Sequence, residues 1–138
     1  MFKLVVENTP VPKRMTNGSA GLDLSLNQDL FLGSREIKRI KTGMKMQIPK
    51  GYFVKIEARS SAIMQGVNIL GGVIDSDYRG EIEIICQNLR NKIIFFEKGQ
   101  RIAQMLFLTH AEPLFEIVQE LDKPTALQRT GGFGSTTT

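Results

Sequence analysis

Apolar and polar residues alternate in short runs along most of this 138-residue chain. The two-residue period of a half-buried strand appears in KLVVE (3–7), LDLSL (22–26), MKMQI (44–48), YFVKIEA (52–58), EIEIIC (81–86), KIIFF (92–96), IAQMLFL (102–108) and LFEIVQEL (114–121). Gly, Pro, Asn or Asp punctuates nearly every gap between them. Many short strands with no long helical period predict an all-β fold, a jelly-roll-like β-barrel rather than a βαβ sheet. Room for a helix of a turn or two exists only in RSSAIMQ (59–65), where Ser60 or Ser61 would cap the first amides and Gly66 would end it. Val73 and Ile74 read as a strand end, with EIEII returning after Gly80 as its hairpin partner.

The pattern stops near residue 127, so the chain divides into one β-barrel domain, 1–127, and a Gly-rich tail, 128–138. Phe133 lies in that tail among Gly, Ser and Thr, which give it nothing local to bury against. A frayed terminus would leave the ring in solvent. A tail that closes on a ligand would instead offer backbone amides to phosphates and the ring to a base.

Composition narrows the class without naming a function. Hydrophobic residues make up 41% of the chain and charged residues 23%, as in soluble globular domains. No apolar run nears the roughly 20 residues that span a bilayer, and the opening MFKLVVENTPVPKRM lacks the order of a signal peptide, so an intracellular, soluble protein of cytoplasm or nucleus is expected, with no membrane partner. A net charge of +4 and a pI near 9.4 would suit a polyanion. The basic residues are scattered, however, and the densest cluster, REIKRIKTG (35–43), reads as a solvated edge strand or loop, so no obligate nucleic-acid partner is expected. Cys86 is the sole cysteine and sits in an apolar run, where a free thiol behaves as a small hydrophobe. With His110 also alone, a His/Cys zinc site cannot be assembled.

Three stretches hold candidate chemistry. In VIDSDYRGE (73–81), Asp75 at a strand end can act as a general base on water, or with Asp77 it can cap the turn and pair with Arg79. ARSSAIMQG (58–66) offers a cation and two hydroxyls suited to phosphate oxygens. KGQRIAQ (98–104) puts the Gln104 amide in an apolar strand, where it needs a backbone or ligand partner.

Taken together, AGLDLS (20–25), ARSSAIMQG (58–66), GGVIDSDYRGEI (71–82), KGQRIAQ (98–104) and GGFGST (131–136) resemble, in order, the five motifs of the homotrimeric deoxyuridine triphosphatase (dUTPase) family. The resemblance runs through nearly the whole chain and implies the jelly-roll dUTPase fold, assembly as a trimer with shared active sites, and hydrolysis of dUTP to dUMP and pyrophosphate with Mg2+. Such an activity keeps uracil out of DNA and supplies dUMP for dTMP synthesis.

By that resemblance Asp75 is the catalytic base for the attacking water. Arg59, Ser60, Ser61 and Gln104 hold phosphates together with Arg129, Gly132, Gly134, Ser135 and Thr136 of the tail. Gly72, Val73 and Ile74 read uracil through their backbone, Tyr78 lies against the deoxyribose and excludes a 2'-hydroxyl, and Phe133 stacks on the base. Asp23 reaches the metal through water, while Asp77 and Arg79 keep the hairpin and subunit contacts in shape. Departures from the family pattern are Ala58 where Pro is usual, Gln100 where an acid is usual, and a tail arginine displaced by one residue to Arg129, leaving Gln128 in its place. Two competitors share the scaffold: a dCTP deaminase, which also uses an RSS segment, and a nucleotide-binding regulatory protein.

Overall fold

The structure, a computed structural model, describes residues 1–124 and residue 131. In chain order it runs β1 (Lys3–Val6), β2 (Leu22–Ser25), β3 (Leu30–Leu32), β4 (Ile37–Lys41), β5 (Met44–Gln47), β6 (Tyr52–Ala58), α1 (Ser60–Met64), β7 (Val67–Ile69), β8 (Val73–Ile74), β9 (Glu83–Asn88), β10 (Ile94–Phe96) and β11 (Arg101–Thr109). All strand pairs are antiparallel. Two larger sheets, ordered β2-β11-β6-β8 and β4-β9-β7, are accompanied by the ribbons β1-β5 and β10-β3, the jelly-roll-like all-β architecture that the alternation predicts.

Alternation sets which side chains enter the core. In β9 the pattern is strict: Ile84, Cys86 and Asn88 are buried, whereas Glu83, Ile85 and Gln87 are only half-buried. β5 sends Met44 and Met46 inward, and β6 sends Val54 and Ile56. Asn88 is the buried polar member of this set, and its amide donates to the carbonyls of Leu32, Gly33 and Lys92, which ties the β3–β10 ribbon to the β9 sheet. Cys86 is fully buried as expected, and that burial pushes its thiol up to about 11. It is therefore held as an inert thiol.

The structure corrects four sequence expectations. Residues 114–121 alternate but form no strand, because a strand requires a neighbour and no described segment lies beside them. Leu114, Phe115 and Ile117 are nearly fully exposed. EIEII does not pair with the Val73–Ile74 strand: β9 pairs with β7, while β8 crosses to the other sheet and pairs with Val54 and Lys55 of β6. Neither Ser60 nor Ser61 caps α1, whose N-cap is Arg59 in an extended conformation without a side-chain cap bond. Strands β3 and β7 appear where no strand was expected. β4 lies at the edge of its sheet, so the basic cluster forms a charged edge strand.

Candidate active site

The first of two clefts is cationic and lies beside the buried Asp23, which pairs with the two arginines that line it. β2 carries Asp23 into the structure opposite Gln104 of β11, and its backbone amide donates to Lys13 O at 3.0 Å. Arg59 Nε lies 3.0 Å and Arg101 Nε 3.7 Å from Asp23 Oδ2. At 3.0 Å the Arg59 charge is strongly attractive, yet its N–H does not point at the oxygen. Asp23 Oδ2 is thus buried without an aligned hydrogen bond. The second arm of Arg59 is fixed by Nη1 donating to Arg101 O at 3.0 Å. The resulting cleft, about 480 Å³, is lined by Ser25, Arg59, Ser61, Gln65, Gln100 and Arg101, a set rich in donors and lacking any carboxylate. Ser60 is exposed at the start of α1 beside it.

Gln104 is half-buried in β11, its Nε2 donating to Ala58 O at 3.3 Å, which is the backbone partner an apolar strand demands. Its carbonyl oxygen lies over Gly21, where a Cβ would come within 2.6 Å, so a side chain at Gly21 would crowd this amide.

The second cleft arises from the strand exchange between sheets. β7 stays with β9, and after Leu70 the chain turns through Gly71 (φ +65°) and Gly72 (φ +86°) to join β6 as β8. The two strands diverge and leave between them a slot of about 210 Å³ walled by Gly72, Val73, Ile74, Tyr78, Ile82 and Ile85, with Asp75 on its rim. Ile56 N donates to Gly72 O at 2.8 Å, which holds the slot's floor against β6. A Cβ at Gly72 would meet Ile56 Cβ at 2.9 Å and Ile56 O at 3.0 Å in a left-handed backbone. Gly72→Ala is expected to cost about 2 kcal/mol through strain and overpacking, read as a lowered urea midpoint with an unchanged slope.

Asp75 is exposed, and among the described residues no hydrogen bond to its carboxylate is present. The turn it opens is closed by Tyr78 N donating to Asp75 O at 3.2 Å. Tyr78 is fixed by its hydroxyl donating to Glu81 O at 2.9 Å, and the residue is 44% exposed at the edge of the slot. Arg79 pairs with neither aspartate and instead donates from Nη1 to Ser76 O and Tyr78 O. The turn is held by Arg79 and by backbone, which leaves the Asp75 carboxylate unused by the fold.

Within one chain, then, Asp23, Arg59, Ser61 and Gln104 gather at one place and Gly72, Val73, Ile74, Asp75 and Tyr78 at another, and the two clefts share no lining residue. Arg129, Gly132, Phe133, Gly134, Ser135 and Thr136 lie outside the described residues. Sequence reasoning passed over Arg101 and Ser25, both in the cationic cleft. An arginine between Gln100 and Ile102 in an otherwise apolar strand was the available signal, since such a cation needs an acid, and Asp23 is that acid. Among the described residues no group of three or more His, Cys, Asp or Glu side chains forms a metal cage, and no helix is long and apolar enough to cross a membrane.

Comparison with known proteins places the chain in a family. The dUTPase family model matches residues 7–137. The deoxyuridine 5'-triphosphate nucleotidohydrolase of Paramecium bursaria Chlorella virus 1 is 36% identical over 137 residues, spanning 99% of this chain and 96% of the relative. The fold is similar to that of the Staphylococcus bacteriophage 80alpha dUTPase solved with dUPNHPP, with a TM-score of 0.89, 23% identity and 100% and 99% of the two chains covered. It is also similar to a mutant dUTPase from phage phi11 of S. aureus, solved to describe the coordination of a structural Mg(II) ion, with a TM-score of 0.79, 21% identity and 87% and 97% covered. A family model covering almost the entire sequence and a full-length relative above 30% identity lead to one conclusion: the chain belongs to the dUTPase family.

Proposed function

We propose that the protein hydrolyses dUTP to dUMP and pyrophosphate, using Asp75 as general base, in a homotrimer whose sites combine residues of different subunits. The observation that carries this is the placement of an uncommitted carboxylate, Asp75, on the rim of a slot floored by the left-handed Gly72 backbone. Water held by Asp75 attacks the α-phosphorus, its proton passes to the carboxylate, and the bond from the α-phosphorus to the bridging oxygen breaks to release pyrophosphate. Such a step depends on alignment and charge neutralisation more than on covalent help.

Uracil fits the slot by hydrogen bonds to the backbone of Gly72 to Ile74, and the Tyr78 ring, fixed through its hydroxyl, faces the sugar. Phosphates occupy the cationic cleft, with Arg59, Ser60 and Ser61 as donors and Gln104 released from its long bond to Ala58 O. The tail residues Arg129, Gly132, Phe133, Gly134, Ser135 and Thr136 complete the site on the strength of their sequence motif.

Mg2+ suits the donor set. Asp23 Oδ2 is an orphaned buried oxygen, and the described residues offer no dense acidic cage, which matches an ion that keeps its waters and takes further ligands from phosphates. Asp23 would hold it through water, and when bound the ion supplies charge neutralisation along the polyphosphate.

A trimer accounts for two features of the single chain. The base slot and the phosphate cleft share no lining residue within one chain, an arrangement that a site shared between copies would join. The apolar residues of 114–121 are exposed, including Leu121 at 87%, and need cover. An intracellular setting follows from the substrate.

The deciding measurement is pyrophosphate release from dUTP, dTTP, dCTP and UTP with and without Mg2+. Turnover of dUTP alone, dependent on the metal, is expected. Ammonia from dCTP with no pyrophosphate from dUTP would assign the chain to the deaminases instead.

A further inference from the structure

The segment before β2 forms part of the cationic site, and nothing in the family motifs gives it a role. Lys13 and Asp23 make an isolated antiparallel bridge, so the chain around Lys13 is laid along β2 at the point where Asp23 turns inward. Between that segment and the sheet is a further hollow of about 280 Å³, with Lys13, Asp23, Ser25 and Arg101 as its polar wall and Pro10, Val11 and Met15 as its apolar one. Ser25 and Arg101 also line the phosphate cleft, so the two hollows adjoin through these side chains.

The charges in this region do not cancel. Asp23 faces both Arg59 and Arg101, one anion against two cations. Lys13 adds another, and among the described residues it makes no ion pair. Arg101 is also held from the same segment, with Nη1 2.8 Å from Met15 Sδ. Asp23 itself is only 9% exposed, and its Oδ2 has no aligned donor. A hollow that adjoins a phosphate site, carries excess positive charge and lacks an aromatic wall selects phosphate rather than nucleoside.

We infer that Lys13 is a specificity-determining residue which, together with Arg101, receives the pyrophosphate portion of the substrate. This rests on the proposed function, and it extends the phosphate site to a residue outside the five motifs. Most of the charge of a nucleoside triphosphate lies on the two phosphates that leave, so a cation at this end acts on affinity for the triphosphate and for released pyrophosphate. It does not act on the nucleoside end.

The test uses the full-length chain and the variants Lys13→Ala and Lys13→Arg, titrated separately with inorganic pyrophosphate and with dUMP at fixed Mg2+, alongside steady-state kinetics on dUTP. Lys13→Ala is expected to weaken pyrophosphate about tenfold and raise KM for dUTP by a similar factor, the order expected of one charge-assisted hydrogen bond. Its kcat should stay within about twofold and its dUMP affinity should be unchanged, since uniform binding is lost without a step of chemistry. Lys13→Arg should recover most of the loss, and the difference between Ala and wild type should shrink as salt rises. Unchanged pyrophosphate affinity in Lys13→Ala, or an equal loss for dUMP, would overturn the inference while leaving the proposed function in place. Lys13-dependent pyrophosphate binding by a wild-type protein that cleaves no dUTP would do the reverse.

Discussion

Asp75→Asn is expected to lower kcat for dUTP by about a thousandfold while the affinity for a non-hydrolysable dUTP analogue stays within a fewfold of wild type. The substitution keeps size and shape and removes only the ability to accept the water's proton. Structural damage is not expected, because the turn closes through Asp75 O and through Arg79 donating to Ser76 O and Tyr78 O, none of which involves the carboxylate. The competing role for Asp75, a turn cap, predicts the opposite split: a loss of about 1 kcal/mol in stability with catalysis intact. Steady-state kinetics, an analogue titration and a urea curve on one preparation separate the two. A variant as fast as wild type would remove Asp75 from the chemistry.

Asp75 also shows what a sequence can and cannot disclose. Its position at a strand end was legible from Val73-Ile74 before a polar turn and from Gly80 after it. The identity of that strand's partner was not. Ile69 before the glycines and Ile74 after them are both apolar, and either segment could have returned against EIEII. The choice is made by Gly71 and Gly72 in left-handed backbone, which send the chain to β6, and by the close fit of Gly72 on Ile56, a contact distant in sequence. The slot arises from that exchange, so a local reading could name residues along the hairpin but could not give the slot its shape or its Ile82 and Ile85 wall.

Other misses have comparable causes. β3 hides its period because the outward residue between Leu30 and Leu32 is Phe31, 59% exposed and packed against Phe95 across the ribbon with ring centroids 4.6 Å apart. In β4, only Ile40 is buried, so no period of two could decide between the edge strand and the loop expected there. The reverse error occurs at 114–121. Its alternation records a segment suited to burial on one side, but alternation does not name the partner, and within the described residues there is none. Polar residues in apolar strands, such as Gln104, stood out in the sequence while Arg101 did not, and strand pairing was the least legible because it is decided by contacts far apart in the chain.

Asp23 carries the other large effect, and there stability and function can be told apart. Asp23→Asn removes the single anion between two guanidinium groups and leaves Arg59 and Arg101 facing each other across a neutral amide. Breaking a fully buried pair costs about 3–5 kcal/mol, but the Arg59 and Arg101 side chains are 30% and 37% exposed and regain some hydration, so about 2 kcal/mol is expected in a urea titration. If Asp23 were only the clamp for the two arginines, the Mg2+ concentration for half-maximal activity would be the same in mutant and wild type, whatever the fall in rate. Because its orphaned Oδ2 is assigned to the hydrated ion, that concentration is expected to rise about 10- to 100-fold, with activity partly rescued by excess Mg2+. An unchanged Mg2+ dependence in a destabilised Asp23→Asn protein would confine Asp23 to orienting Arg59 and Arg101, and the metal would then have to be held by phosphates and water without it.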